Sequence, residues 1–267
     1  MDGESARWVG SMPEVYEQCL ATPVFRPFAR ELARRTSHAA PGRVLELAAG
    51  TGAVTRELVA VCPHAEITAT DLNAAMVELA ASRVPGPTWR AADAARLPYP
   101  DAAFEAVVCG FGVMFLPDRR AAYAEVARVL VPGGRFLFTT WDRLATHGYG
   151  LALALALDRV FPGDVPAFLE AVPHGYHDTA QVAADVRAAG LDVVATETLT
   201  LEGLADDARQ IAVGFCTGSP LRADLERRGD LDTTVDRVAA EMTEALGEGP
   251  VAAAMSAHLV EAERPRP

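Results

Sequence analysis

The sequence predicts an α/β fold, a doubly wound and mostly parallel sheet with helices on both faces, and three observations predict it. From Pro41 onward, short apolar runs alternate with Ala-rich stretches of helical spacing, the pattern of strands joined by crossover helices. Half of the 267 residues are hydrophobic and 22% are charged, which is ample material for a buried core. Residues 44–52, VLELAAGTG, run from an apolar segment straight into a glycine-rich turn.

Taken in order, the first 35 residues read as helical, because Val24, Phe25, Phe28, Ala29 and Leu32 recur at the spacing of one apolar face. Strands are expected near 43–48, 66–70, 88–91, 104–109 and 135–140, with helices over 53–61, 74–82 and 119–130 between them. The last of these helices carries Tyr123, Val126, Ala127 and Leu130 on one face, with Asp118 placed to cap its start and Pro132-Gly133-Gly134 placed to end it. LALALAL, near 150–157, alternates like a strand. Ala and Leu are nevertheless strong helix formers and nothing there is β-branched, so a helix is expected. A further helix over 179–189, a strand in LDVVATETLTL and a helical face of Leu231, Val235, Val238, Met242 and Leu246 ending at Gly247 follow. A final strand is expected near 253–262.

No internal repeat and no proline-rich linker divides the chain, so a single domain is expected. Within it, 1–40 form N-terminal helices, 41–142 the core, and 143–267 the remaining helices and last strands. Residues 203–250, largely helical between two strands, are the expected cap.

Composition narrows the function. With 24 Lys and Arg against 36 Asp and Glu the formal charge is −12, and no basic run offers a footprint for a phosphate backbone; nucleic acid is not an expected partner. The opening MDGESARW is acidic and polar and does not read as a secretory signal, which makes a cytoplasmic location the expectation. Cys19, Cys62, Cys109 and Cys216 form no CxxC pair and read as reduced thiols. The longest apolar tract, 150–161, is shorter than the roughly 20 residues that span a membrane, so no membrane association is expected.

The chemistry centres on the glycine turn. Gly50-Thr51-Gly52 between a strand and a helix lets a ligand approach the main chain closely, although an isolated turn of this kind is also an ordinary strand-to-helix connection. A dinucleotide site would have a third glycine where Thr55 stands. Asp71, 19 residues after Gly52, could bond a ribose in either class of cofactor. Glu46 and Asp93 discriminate. A pyrophosphate would be repelled by Glu46, whereas an ammonium group would be attracted, and Asp93, just past the third strand, can accept from an adenine amino group.

The stretches VLELAAGTG, TATDLNAAMVELA, AADAARLPYPDAAFEAVVCGFGVMFLPD and EVARVLVPGGRFLFTTW, in this order over 40–142, resemble class I S-adenosylmethionine (SAM)-dependent methyltransferases. The resemblance is to the small-molecule branch of the ubiquinone and menaquinone biosynthesis methyltransferases. It implies a Rossmann-like seven-stranded sheet, SAM as methyl donor, S-adenosylhomocysteine as product and a small-molecule acceptor methylated on O, N or C.

By that resemblance, the backbone of Ala48, Gly50, Thr51 and Gly52 lines the methionine end, supported by Glu46. Asp71 holds the ribose hydroxyls, with Leu72 and Met76 beside the ribose and adenine. Asp93 and the amide of Ala94 read the adenine edge, and the carbonyl of Cys109 faces the amino group.

GFGVMFLP offers Phe111, Met114 and Phe115 as an apolar wall for an apolar or aromatic acceptor, with Tyr149 nearby in sequence. Candidate proton-transfer groups are Tyr16, His147, His174 and His177, each with a structural alternative: packing on the helix for Tyr16 and loop structure for the histidines. His174, His177 and Asp178 have metal-ligand residue types without a metal-site spacing, so no metal is expected. A SAM-binding enzyme that catalyses a rearrangement or cyclisation is the alternative reading. Oligomeric state is not legible, a homodimer being compatible.

Overall fold

The structure, a computed structural model, describes residues 10–267; the expectation for MDGESARW lies outside the described residues. The chain order is α1 (Met12–Tyr16), a π-helical segment (Glu17–Phe25), α2 (Arg26–Ser37), β1 (Arg43–Glu46), α3 (Ala53–Val61), β2 (Glu66–Asp71), α4 (Ala74–Arg83) and β3 (Thr88–Ala91). It continues with β4 (Phe104–Gly110), α5 (Arg119–Val129), β5 (Leu130–Trp141), α6 (Gly148–Val160), α7 (Phe168–Ala171), α8 (Thr179–Ala188) and β6 (Asp192–Ala205). It closes with α9 (Ala208–Thr217), α10 (Leu221–Arg228), α11 (Leu231–Leu246) and β7 (Val251–Glu263).

The seven strands form one sheet in the order β3-β2-β1-β4-β5-β7-β6. The pairs from β3 to β5 are parallel and β7 runs antiparallel to β5. Val44 and Leu45 of β1 and Ala106, Val107 and Val108 of β4 are essentially inaccessible, as strands covered on both faces require.

Three of the helices that serve this sheet start where the sequence supplies an acceptor. Asn73 accepts from the amides of Ala75 and Met76 at α4, Asp118 from Ala121 at α5 and Asp178 from Ala180 at α8. One compact unit comprises 28–141, 176–199 and 257–267, which hold the sheet core.

Pro132-Gly133-Gly134 does not end a helix. α5 stops at Val129, and the three residues lie inside β5, where the pairing with β4 is irregular between Phe104 and Ala106. The reason is a partner far away in sequence. Gly133 N–H donates to the Arg264 carbonyl at 2.8 Å and Arg264 N–H returns to the Gly134 carbonyl at 2.9 Å, while Gly133 takes the positive φ of 80° that glycine tolerates.

The second unit comprises residues up to 27, 142–175 and 200–256, and is mainly helical. LALALAL lies in α6, where Ala152, Leu153, Ala156, Leu157 and Val160 are buried while Leu151 and Leu155 are exposed. That is a helical stripe and not an alternation. α9, α10 and α11 lie in the chain between β6 and β7, the helical insertion that the sequence predicts.

Candidate functional site

Because β1, β2, β3 and β4 are parallel, their carboxyl ends share one edge of the sheet. Glu46 closes β1, Asp71 closes β2, Ala91 closes β3 and Gly110 closes β4. The strand order reverses between β1 and β4, so a crevice is expected beyond those two ends.

The backbone there is strained on both sides. Ala48, after β1, has φ of 49° and Phe111, after β4, has φ of 56°, left-handed values that residues with a Cβ seldom adopt. This conformation also ends β1 at Glu46, two residues before the expected boundary. Phe111 is held in place by its N–H, which reaches the Thr139 hydroxyl at 3.1 Å. Its ring stacks on Trp141 at 3.9 Å, and Phe28 meets both rings edge-on.

The two glycines of the turn have different surroundings. A Cβ on Gly52 would lie 3.1 Å from the Trp89 ring, whereas one on Gly50 would meet nothing within 4 Å. Gly52 is thus closed against its own fold, and Gly50 borders open space.

The carboxylates follow the same logic. Glu46 is 1% exposed and accepts from the Thr55 hydroxyl at 2.6 Å; burial, and after it the nearby Asp71, raise its pKa to about 8. Asp71 accepts from Gly50 N–H and Asn73 N–H, both at 2.8 Å, and burial also raises its pKa. Each Asp71 oxygen keeps lone-pair capacity beyond its amide. Thr51, 1% exposed, has a hydroxyl oxygen with no hydrogen-bond partner among the described residues. An orphaned buried hydroxyl beside an open glycine is a place for a polar ligand.

The other expected residues fall as follows. Met76 is buried, whereas Leu72 is 72% exposed, so Leu72 is not part of the core. Asp93 is exposed and accepts from Ala95 N–H at 2.9 Å; Ala94 beside it is half-buried. Cys109 is buried and its thiol is pushed up to about 12, chiefly by burial, so it is not a thiolate nucleophile. Met114 is buried and Phe115 half-buried in the short turn after Phe111.

In the mainly helical unit, Tyr16 packs its ring against Phe25 with centroids 5.0 Å apart. Tyr149 is fully buried and its hydroxyl lies 2.9 Å from the Gly203 carbonyl and 2.8 Å from that of Val251, which makes it a structural anchor and not an open pocket wall. His147 caps α6 by accepting from Gly150 N–H, and burial depresses its pKa to about 3. His174 Nδ1 lies 2.7 Å from the Asp142 carbonyl, an acceptor, so that nitrogen carries the proton. His177 is half-buried and directly precedes Asp178, which caps α8. Among the described residues, no group of three or more His, Cys, Asp or Glu is placed to hold a metal ion. Nor is any helix there long and apolar enough to cross a membrane.

Thr55 and Trp141 carry no role in the sequence reading. Thr55 shows there only as a missing third glycine, and Trp141 only as the end of a matching stretch.

A reversed parallel sheet with a glycine turn after its first strand, and acids closing the first two, defines an α/β protein built to hold a nucleoside-type cofactor. Residues 45–138 match the family described as "Methyltransferase domain". The demethylmenaquinone methyltransferase of Corynebacterium urealyticum is 32% identical over 183 residues, which cover 64% of this chain and 77% of that one. The chain belongs to the class I SAM-dependent methyltransferases, a family that uses SAM as methyl donor. The demethylmenaquinone methyltransferase of Deinococcus radiodurans is 34% identical over 153 residues, 56% of this chain and 64% of that one, so the match spans just under two thirds of its length. In fold, the chain resembles the YcgJ protein of Bacillus subtilis, with TM-score 0.56 and 22% identity over 90% of this chain and 99% of that one.

Proposed function

We propose that the chain transfers a methyl group from SAM to an O, N or C atom of an apolar or aromatic small molecule. The observation that carries the proposal is the conjunction at the end of β1: an open Gly50, an orphaned Thr51 hydroxyl and the buried Glu46.

In this reading, Thr51 and the amides of the turn receive the donor's carboxylate, and Glu46 with the carbonyl of Cys109 receives its ammonium. The spare lone pairs of Asp71 accept from the ribose hydroxyls, Met76 and Leu72 flank the nucleoside, and Asp93 with the amide of Ala94 reads the adenine edge. When bound, SAM supplies an electrophilic methyl on a sulfonium, open to in-line displacement. The chain therefore has mainly to orient the acceptor and exclude water. Phe111, Met114 and Phe115 form the acceptor wall, now joined by Trp141 and Phe28, whose rings hold Phe111.

The relatives are demethylmenaquinone methyltransferases; what carries over here is a small-molecule acceptor and not that molecule.

Calorimetric titration with SAM, S-adenosylhomocysteine and NAD(H) tests the donor. Binding of the first two alone is expected, and binding of NAD(H) alone overturns the reading. Release of S-adenosylhomocysteine in step with acceptor loss then tests transfer; acceptor loss without it would favour a rearrangement or cyclisation.

A further inference from the structure

We infer that Thr55 is a positioning residue for the methyl donor: it holds the Glu46 carboxyl, from which the donor's ammonium group displaces a proton to solvent on binding. The inference rests on the SAM reading above and adds to it a residue and a proton.

Its basis is geometric. Thr55 stands in the first turn of α3, three residues after Gly52, and is fully buried. Its hydroxyl lies 2.6 Å from Glu46 Oε2, and its backbone amide also bears on that carboxyl. Glu46 is fixed from the other side by Thr70, whose hydroxyl donates to the Glu46 carbonyl at 2.8 Å. The Glu46 backbone and its carboxyl are therefore each anchored by a threonine hydroxyl.

Among the described residues, the groups that act on Glu46 are neutral or acidic. From β2 comes Asp71: Glu46 pairs with Ala69, and Asp71 follows two residues later, on the same face of the sheet. From β4 comes Cys109, whose thiol feels the charges of both acids, and from α3 comes Thr55. Among the described residues, no cation is one of the groups that act on the Glu46 carboxyl. A buried acid beside another acid keeps its proton until a cation replaces it. The donor's ammonium is that cation, so its entry and the proton's departure are one event. The hydroxyl of Thr55 donates to the carboxyl throughout and stabilises the ionised form.

The test is calorimetry of the full chain with SAM at pH 7 in two buffers of different ionisation enthalpy, repeated from pH 6 to 7.5. Expected are release of most of one proton by the parent chain and affinity that rises with pH. Glu46→Gln should bind more weakly and release none. Thr55→Val should lose about tenfold in affinity at pH 7, with its pH profile displaced upward by about one unit, since one pKa unit is tenfold. Thr55→Ser should restore the parent profile. Parent binding whose heat is the same in both buffers overturns this inference alone, as does a Thr55→Val profile that overlays the parent. If Thr55→Val fails to fold, the parent and Glu46→Gln proton counts decide. Absence of SAM binding by the parent overturns the donor reading, and this inference with it.

Discussion

The buried polar groups singled out above differ between the two compact units. In the helical unit every interior polar group described above has a backbone partner: Tyr149 has two carbonyls, His147 an amide and His174 a carbonyl. In the sheet unit, the buried Glu46 lies near the half-buried Asp71, and a buried hydroxyl has no partner among the described residues. Burying polar groups is tolerable when they are satisfied, so the first pattern is architecture. The second keeps binding capacity in reserve, which the proposed methyl donor would use.

The largest effect should come from the acid that closes β2. Asp71→Ala is expected to lower SAM affinity by about 100-fold, because two hydrogen bonds to a charged group are worth roughly 1.5 to 3 kcal/mol each. Calorimetry on folded variant would break the contrast between the units if the loss were under threefold.

Stability against pH separates the units next. The His147 pKa falls from the ordinary 6.5 to about 3, so between those values the unfolded chain binds a proton that the folded chain does not; stability is lost as pH falls through that window. The Glu46 pKa rises from 4.5 to about 8, so the folded chain keeps a proton that the unfolded chain has released; stability is present below 4.5 and lost as pH rises to 8. Each slope is at most about 1.4 kcal/mol per pH unit, and the two oppose one another where the windows overlap. Urea midpoints measured from pH 4 to 8 should therefore show a broad maximum. Glu46→Gln should remove the alkaline loss and His147→Asn the acid loss; a Glu46→Gln curve that still declines above pH 6.5 would contradict the assignment.

The finest comparison sets one hydroxyl against another. Tyr149→Phe should destabilise by about 1 to 3 kcal/mol in urea unfolding, since two buried carbonyls lose the one hydroxyl proton they share. SAM affinity should stay as it was. Thr51→Val should do the reverse, leaving stability equal or higher while weakening SAM several-fold, the loss of about one neutral hydrogen bond. Identical behaviour in the two variants would erase the distinction.

How much of this was legible in the sequence follows from how local each feature is. β3, α3 and α5 begin where expected because apolar spacing, glycines and Asp118 act within a few residues. Pro132-Gly133-Gly134 misleads because its decisive partner, Arg264, is remote in sequence and makes a strand bulge out of an apparent helix stop. For the site, Glu46, Gly50 and Asp71 announce themselves as residues out of keeping with their surroundings. Thr55 does not, because a hydroxyl on a helix is unremarked until the carboxyl it holds is seen. Tyr149 and His147 attract attention for their chemistry, and only coordinates reveal that backbone groups already occupy it.

Placing β7 between β5 and β6 also shapes how the chain is made. β1 to β5 can pair with one another as they are synthesised, but the outer edge of β5 from Arg135 to Trp141 must wait for residues 257–263. Until then that edge, carrying Phe136 and Phe138, is an open row of amides and carbonyls beside apolar side chains, the kind of surface on which nascent chains aggregate. A chain that stops within α11 would carry that edge uncovered.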